Sequence, residues 1–152
     1  MSPQMERHHY KMLALNLMVS LVIMYLVMFT MIWSFSEFFN NLNMLYMTLM
    51  MVTPMGVLML LMMGSMYRNR RWNVVLYATF AVVFALSFYA MRDQSLVGDR
   101  QFLRSMIPHH AGAILMCEEA DLSAAELRAL CGQIVAAQRT EIAQMQQLLD
   151  QQ

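Results

Sequence analysis

Apolar positions along the chain form three long uninterrupted runs, followed by a region in which apolar and polar residues alternate with helical spacing. The runs cover residues 12–33, 44–67 and 74–91, and none of them contains a charged side chain. A helix needs about 20 apolar residues to cross a bilayer core of ~30 Å. The pattern therefore predicts a three-helix transmembrane domain over residues 12–91, preceded by a short tail of residues 1–11.

The basic residues predict the orientation of these spans. Two precede the first span, the loop of residues 34–43 contains none, and the next loop contains three. They are Arg7, Lys11, Arg68, Arg70 and Arg71. Because short loops rich in Lys and Arg stay on the cytoplasmic side, we expect a cytoplasmic N-terminus in a bacterial inner membrane. The C-terminal region, residues 92–152, is then periplasmic.

This C-terminal region has the pattern of a helical hairpin. Asp99 is a suitable N-cap for the first helix, in which apolar or small residues recur every three or four positions. The turn is expected at residues 121–123. Ser123 followed by Glu126 forms a capping-box pattern that would start the second helix.

Pro108 leaves the start of the first helix open. A helix that begins at Asp99 would be kinked at Pro108, and the Arg104 carbonyl would lose its helical donor. A helix that begins at Ser105 would hold the proline in its first turn without harm.

The hairpin is small for an independent domain, because chains near that size bury only ~60% of their unfolded surface. Two hairpins from two chains would form a four-helix bundle with side chains projecting inward from facing helices. The sequence therefore predicts an all-α homo-oligomer.

Composition excludes one class of partner. The 152 residues carry 10 basic and 10 acidic side chains, so the net charge is zero, and no long basic stripe faces a phosphate backbone. We therefore expect membrane lipid and no nucleic acid as a partner. The chain also contains 20 Met and 2 Cys, and two cysteines allow one disulfide at most.

Soft metal-binding side chains share one face of the first hairpin helix. Met106, His110 and Cys117 lie within about 60° of arc, with His109 and Met116 toward one border. On the second helix Met145 shares a face with Cys131 and Gln138, and Glu141 lies at its edge. Thioether, thiolate and imidazole together favour Cu(I) over hard cations. The alternative is structural, since histidine pairs often border amphipathic helices and methionine fills apolar cores.

Two segments carry a family resemblance: residues 102–116, with Met-Ile-Pro-His-His, and residues 138–145, which read Gln-x-x-Glu-Ile-x-x-Met. They resemble the ferritin-like domain-of-unknown-function family numbered three-zero-five, which includes CopM-like periplasmic copper-binding proteins. The resemblance spans residues 99–152 and implies a helical bundle that binds copper, as Cu(I). It implies five metal ligands: Met106, His109, His110, Met116 and Met145. Gln138 and Glu141 would be supporting groups.

The chain also departs from this family. Members commonly have small residues at the positions of Cys117 and Cys131, so a local disulfide or an added thiolate ligand both remain open. Soluble members supply a whole bundle from one chain, whereas this chain offers one hairpin behind three spans. The departure favours assembly between chains.

Methionines form a stripe along the second predicted span, within about 60° either side of one line. They are Met44, Met47, Met51, Met55, Met59, Met62 and Met66. The stripe could relay Cu(I), or it could simply pack against neighbouring helices in lipid. No charged residue in the spans marks an ion path.

Three functions remain to be compared. The first is an inner-membrane-anchored periplasmic protein that binds Cu(I) through His and Met for copper tolerance or delivery. The second is a structural, oligomerising membrane protein without metal, and the third is a Cu(I) transport component that uses the methionine stripe. An enzyme is not expected, because nucleophile elbows, phosphate loops and nucleotide signatures are absent from the sequence.

Overall fold

The computed structural model describes residues 3–152, so Met1 and Ser2 of the predicted tail lie outside it. In the described chain 83% of the residues are helical and none is in a strand, which confirms the all-α class. The helices are α1 (Pro3–Val27), α2 (Leu42–Met62), α3 (Arg70–Asp93), α4 (Asp99–Glu119) and α5 (Ala125–Asp150). Two short 3₁₀ turns, Met28–Met31 and Phe35–Glu37, lie between α1 and α2.

Three helical segments are long and apolar enough to cross a membrane, as predicted. They are Gln4–Met31, Leu42–Met62 and Arg70–Asp93. Their ends differ from the apolar runs. The second helix stops at Met62 and not near Tyr67, because Gly64 and Ser65 lie in a turn and both are weaker helix formers than the preceding leucines and methionines.

The chain folds into two compact units that do not follow sequence order. The first contains the chain up to Val27 together with Leu45–Ser95. The second contains Met28–Met44 together with Leu96–Gln152. The segment between α1 and α2 therefore folds with the C-terminal hairpin, which the sequence pattern did not predict.

The first unit has a small buried cluster contributed by all three of its helices and the turn after α2. Its members are Leu13, Leu60, Tyr67 and Phe80. Gly56 allows a close approach to Phe80, since a Cβ atom at this glycine would lie 2.7 Å from the Phe80 Cζ atom. Tyr10 donates a hydrogen bond to Asn73 Oδ1 at 2.7 Å, and this bond joins the start of α1 to the start of α3.

The second unit is built on the α4–α5 hairpin, whose helices pack side by side. Its buried cluster consists of Ile107, Ala111, Ile114 and Ile142. Ile32 and Phe39, from the segment Met28–Met44, pack against this cluster. The apolar face of α4 is therefore covered partly by α5 and partly by residues that precede α2.

The hairpin turn differs from its prediction. The second helix begins at Ala125 after Ala124, which makes no side-chain capping bond. Ser123 therefore lies one position too early, and the predicted capping box with Glu126 does not form. Instead Arg128 donates from Nη1 to the carbonyl oxygens of Leu122 and Ser123, at 3.0 and 2.8 Å.

At the other end of α4, the cap is Gly98 and Asp99 is the first helical residue, so the prediction of Asp99 as N-cap is also wrong. The helix runs from Asp99 through Pro108, so it does not begin at Ser105. The Arg104 carbonyl consequently has no helical donor from residue 108.

Candidate metal-binding site

His110 is the most tightly held of the candidate ligands. Its residue surface is 9% exposed, and it lies on α4 beside the buried cluster of the second unit. Its Nε2 atom is 2.7 Å from Oε2 of Glu141 on α5. Its Nδ1 atom is 2.9 Å from the backbone carbonyl oxygen of Met106. Both ring nitrogens therefore face oxygen atoms.

These two contacts restrict the protonation of the ring. A backbone carbonyl only accepts hydrogen bonds, so Nδ1 carries a proton and donates it to Met106. Nε2 contacts the carboxylate of Glu141. Nε2 is therefore the nitrogen able to exchange its contact for a metal, because Nδ1 is held by the main chain.

Met106 and Met145 lie at the same level of the hairpin. Met106 precedes His110 by one helical turn, and Met145 follows Glu141 by one turn. Because α4 and α5 run antiparallel, both steps lead in the same direction from the His110–Glu141 contact. Both methionines are half-buried, and Met145 packs against the buried cluster. Gln138, also half-buried, lies about one turn from Glu141 on the opposite side.

His109 and Met116 lie elsewhere on α4. About two helical turns separate them, so they share a face, and both are exposed. Met116 has 57% of its surface exposed. The ring centroids of His109 and His110 are 6.1 Å apart, but the two rings have different surroundings. The structure thus divides the five predicted ligands into three that are buried or half-buried, Met106, His110 and Met145, and an exposed pair.

Cys117 and Cys131 form a disulfide, with their Cα atoms 5.2 Å apart. In this state neither sulfur is a thiolate, so the two residues offer no thiolate ligand. The disulfide links α4 to α5 near the turn. A second link is the ion pair between Arg139 Nη2 and Glu118 Oε1, at 2.6 Å, which lies at the surface and adds little stability on its own.

Hard and borderline donors are sparse in the folded chain. Across residues 3–152, no group of three or more His, Cys, Asp or Glu side chains could hold a metal ion. Structural zinc sites and di-iron bundle sites depend on such groups.

No sequence pattern pointed to the residues that support α4 from the segment before α2. Asn43 donates from Nδ2 to Ser105 Oγ at 2.7 Å, and the Leu42 amide donates to Gln101 Oε1 at 3.2 Å. Asn41 contacts the main chain of the same helix. The only available signal was the run Asn-Asn-Leu-Asn at residues 40–43.

The methionine stripe of α2 is less regular than its spacing predicts. Met66 lies beyond the end of the helix, in the turn that follows. Pro54 lies inside the helix. Met62 has 83% of its surface exposed, whereas Met59 packs against the buried cluster of the first unit. The seven side chains therefore have several different surroundings.

These features define an all-α protein with three helices able to span a membrane and a disulfide-linked C-terminal hairpin. The sequence profile of the family described as "Domain of unknown function (DUF305)" matches residues 89–149, which include the hairpin. An uncharacterized protein of Acanthamoeba polyphaga mimivirus is 31% identical over 113 residues, which cover 73% of this chain and 72% of that protein. The chain belongs to the DUF305 family, as its two motifs predicted.

The similarity is not confined to the hairpin. The stretch shared with the mimivirus protein is longer than the profile match, so part of it lies before residue 89, among the apolar helices. No solved structure matches the chain.

Proposed function

We propose that this protein is a membrane-anchored metal-binding protein that holds Cu(I) through Met106, His110 and Met145, for copper tolerance or delivery. The observation that carries the proposal is the hydrogen bond from His110 Nδ1 to the Met106 carbonyl, at 2.9 Å. A histidine held in this way presents Nε2 as its ligating nitrogen. Two thioethers beside one imidazole form a soft donor set, which suits a monovalent copper ion.

Glu141 has a distinct role in this proposal. Its carboxylate contacts the nitrogen that would bind the metal, so it would orient His110 and either yield to the ion or join its ligands. Gln138 would support the site from the adjacent turn. His109 and Met116 are exposed on another face, so they would contribute through a neighbouring chain. These donors suit ligation better than acid-base chemistry, and we propose binding and not catalysis.

Two independent features support a hairpin outside the cytoplasm. Disulfides persist in oxidising compartments, and the hairpin contains one. The basic residues before α1 and between α2 and α3 favour a cytoplasmic location for those segments. For a bacterial inner membrane this orientation makes the hairpin periplasmic. Alkaline phosphatase fused to the C-terminus should then be active. An inactive phosphatase fusion together with a fluorescent C-terminal GFP fusion would instead indicate that the hairpin is cytoplasmic.

The metal proposal is tested by Cu(I) titration of the full-length protein in detergent against a chromophoric chelator. Leucine conserves the volume of methionine in a packed site, so Met106→Leu with Met145→Leu removes two sulfurs with little change in packing. We expect the affinity to fall at least about tenfold, equivalent to ~1.4 kcal/mol. The matched control is Met12→Leu with Met18→Leu, two exposed methionines of α1. Equal affinity in the wild type and the Met106/Met145 variant would refute the site.

A structural role is the second candidate, and the doubly hydrogen-bonded ring of His110 favours it. In that case the His110–Glu141 contact only fixes α4 against α5, and the titration shows no specific binding. Both functions are compatible with a homo-oligomeric bundle, because one hairpin offers little core by itself. Native mass spectrometry of the detergent-solubilised protein tests assembly. A monomer with a fully folded hairpin would contradict it.

A further inference from the structure

An apolar cavity opens among the three helices of the first unit. Its volume is about 440 Å³, within the ~300–1,000 Å³ typical of ligand pockets. The lining includes Leu13 and Leu17 of α1, Val52 of α2 and Phe80 of α3. Because such walls offer hardly any hydrogen-bonding groups, water is a poor occupant. The cavity suits a flexible hydrocarbon chain.

One end of this cavity has the character of a membrane interface. Tyr10 and Trp72 line it there, and these residue types are enriched where hydrocarbon meets headgroups. The Tyr10 hydroxyl is held by Asn73 Oδ1 at 2.7 Å. Asn69 caps α3 at the same end, accepting hydrogen bonds from the Arg71 and Trp72 amides.

Positive charge is concentrated around the same end. The neighbouring chain carries five exposed basic side chains and one acidic residue, Glu6. The basic residues are Arg7, Lys11, Arg68, Arg70 and Arg71. Within the described residues the ion pairs are those of His110 and Arg139, so these five have no carboxylate partner. Arg70 and Arg71 also occupy the first turn of α3 without an acidic residue, where positive charge is unfavourable to the helix dipole.

We propose that the first unit binds an anionic phospholipid, with one acyl chain in the cavity and the phosphate near Lys11, Arg70 and Arg71. Lys11 and Arg71 directly adjoin Tyr10 and Trp72 in the sequence, so the charges lie beside the interfacial end of the apolar cavity. Basic pockets between transmembrane helices recognise anionic headgroups in this way. The proposal does not depend on metal binding by the hairpin.

The headgroup is tested by native mass spectrometry of the full-length protein in detergent, after addition of phosphatidylglycerol or phosphatidylcholine. We expect the wild type to retain phosphatidylglycerol about tenfold better. Arg70→Gln with Arg71→Gln should reduce this ratio to about one. The control, Arg92→Gln with Arg100→Gln, removes two exposed arginines elsewhere and should keep the wild-type ratio. Equal retention of both lipids by the wild type would overturn the proposal.

The acyl-chain site is tested by filling the cavity. Ala14 lines it, so Ala14→Phe should reduce phosphatidylglycerol retention, whereas Ala85→Phe, outside the lining, should not. If circular dichroism shows that Ala14→Phe does not fold, Thr79→Leu makes a smaller change in the same lining. Wild-type retention in the folded cavity variant would refute the acyl-chain site. Displacement of the lipid by inorganic phosphate would refute the lipid and identify a free-anion site.

Discussion

Asn41 donates a hydrogen bond from Nδ2 to the carbonyl oxygen of Arg104, 3.4 Å away. This carbonyl is the one that Pro108 deprives of its helical donor. Oδ1 of the same side chain accepts a hydrogen bond from the Met44 amide, at 2.9 Å, in the first turn of α2. One buried amide therefore compensates a defect in α4 and caps the start of α2.

The replacement Asn41→Asp tests the first of these tasks, because aspartate retains an acceptor for Met44 but lacks the Nδ2 donor. The same Nδ2 donor also contacts the Phe39 carbonyl oxygen at 3.0 Å, so the part of the loss that belongs to Arg104 is the part that depends on residue 108. We expect a loss of about 1–3 kcal/mol in the stability of the hairpin unit, the usual cost of an unsatisfied buried acceptor. Pro108→Ala restores an amide donor to Arg104, so the same replacement should cost less in that background. The unfolding temperatures of the wild type, the two single variants and the double variant are measured by circular dichroism. Equal losses in both backgrounds would contradict a hydrogen bond between Asn41 and the Arg104 carbonyl.

Glu141→Ala removes the partner of His110 Nε2. Since the carboxylate is half exposed, with 51% of its side chain accessible, we expect a loss near the lower end of the range, about 1 kcal/mol. If Nε2 ligates Cu(I), the loss should shrink when the ion is added. Thermal unfolding with and without Cu(I) provides the comparison. The control Glu126→Ala changes an exposed carboxylate of the same helix and should show no such dependence.

Reduction of the Cys117–Cys131 disulfide should destabilise the hairpin. The cysteines are 14 residues apart, and closure of a loop of that size is worth about 3 kcal/mol in the chain-entropy description. The unfolding midpoint should therefore fall in dithiothreitol. A variant with Cys117→Ser and Cys131→Ser should show the lower midpoint in both oxidising and reducing buffer. If dithiothreitol leaves the unfolding midpoint of the wild type unchanged, the disulfide does not contribute to the stability of the hairpin.

Gly56→Ala tests the close approach of α2 and α3. The added Cβ would lie 2.7 Å from the Phe80 ring, so the ring or the helices must shift, at a cost of about 1–3 kcal/mol. Gly64→Ala is the control, because its Cβ would meet nothing closer than 3.6 Å. Phe80→Leu should recover part of the Gly56→Ala loss. Similar unfolding midpoints for the two alanine variants would rule out tight packing at Gly56.

Features set by local pattern were predictable from the sequence. Uninterrupted apolar runs are local, so the three spans were identified, although Gly64 shortened the second. The capping box at Ser123 and Glu126 was wrong because α5 begins one residue later than that pattern requires. An equivalent box forms at Ser34 and Glu37, in a loop that had no predicted structure.

Features that join distant parts of the chain were not predictable. Asn41 and Arg104 are 63 positions apart, and nothing in either local pattern pairs them. His109 and His110 are neighbours in the family motif, yet one is exposed and the other is buried against α5. Helical periodicity placed His110 at the centre of a donor face, but its contact with Glu141 depends on how α4 and α5 are aligned.

The covering of the hairpin cluster by Ile32 and Phe39 has a practical consequence for anyone who wishes to work without detergent. A fragment that begins after the third span would lack these two residues. The apolar side chains of Ile107 and its neighbours would then be exposed, and the fragment would aggregate. A water-soluble derivative should instead join residues 28–44 to the N-terminal end of residues 96–152, so that Ile32 and Phe39 still cover the buried cluster.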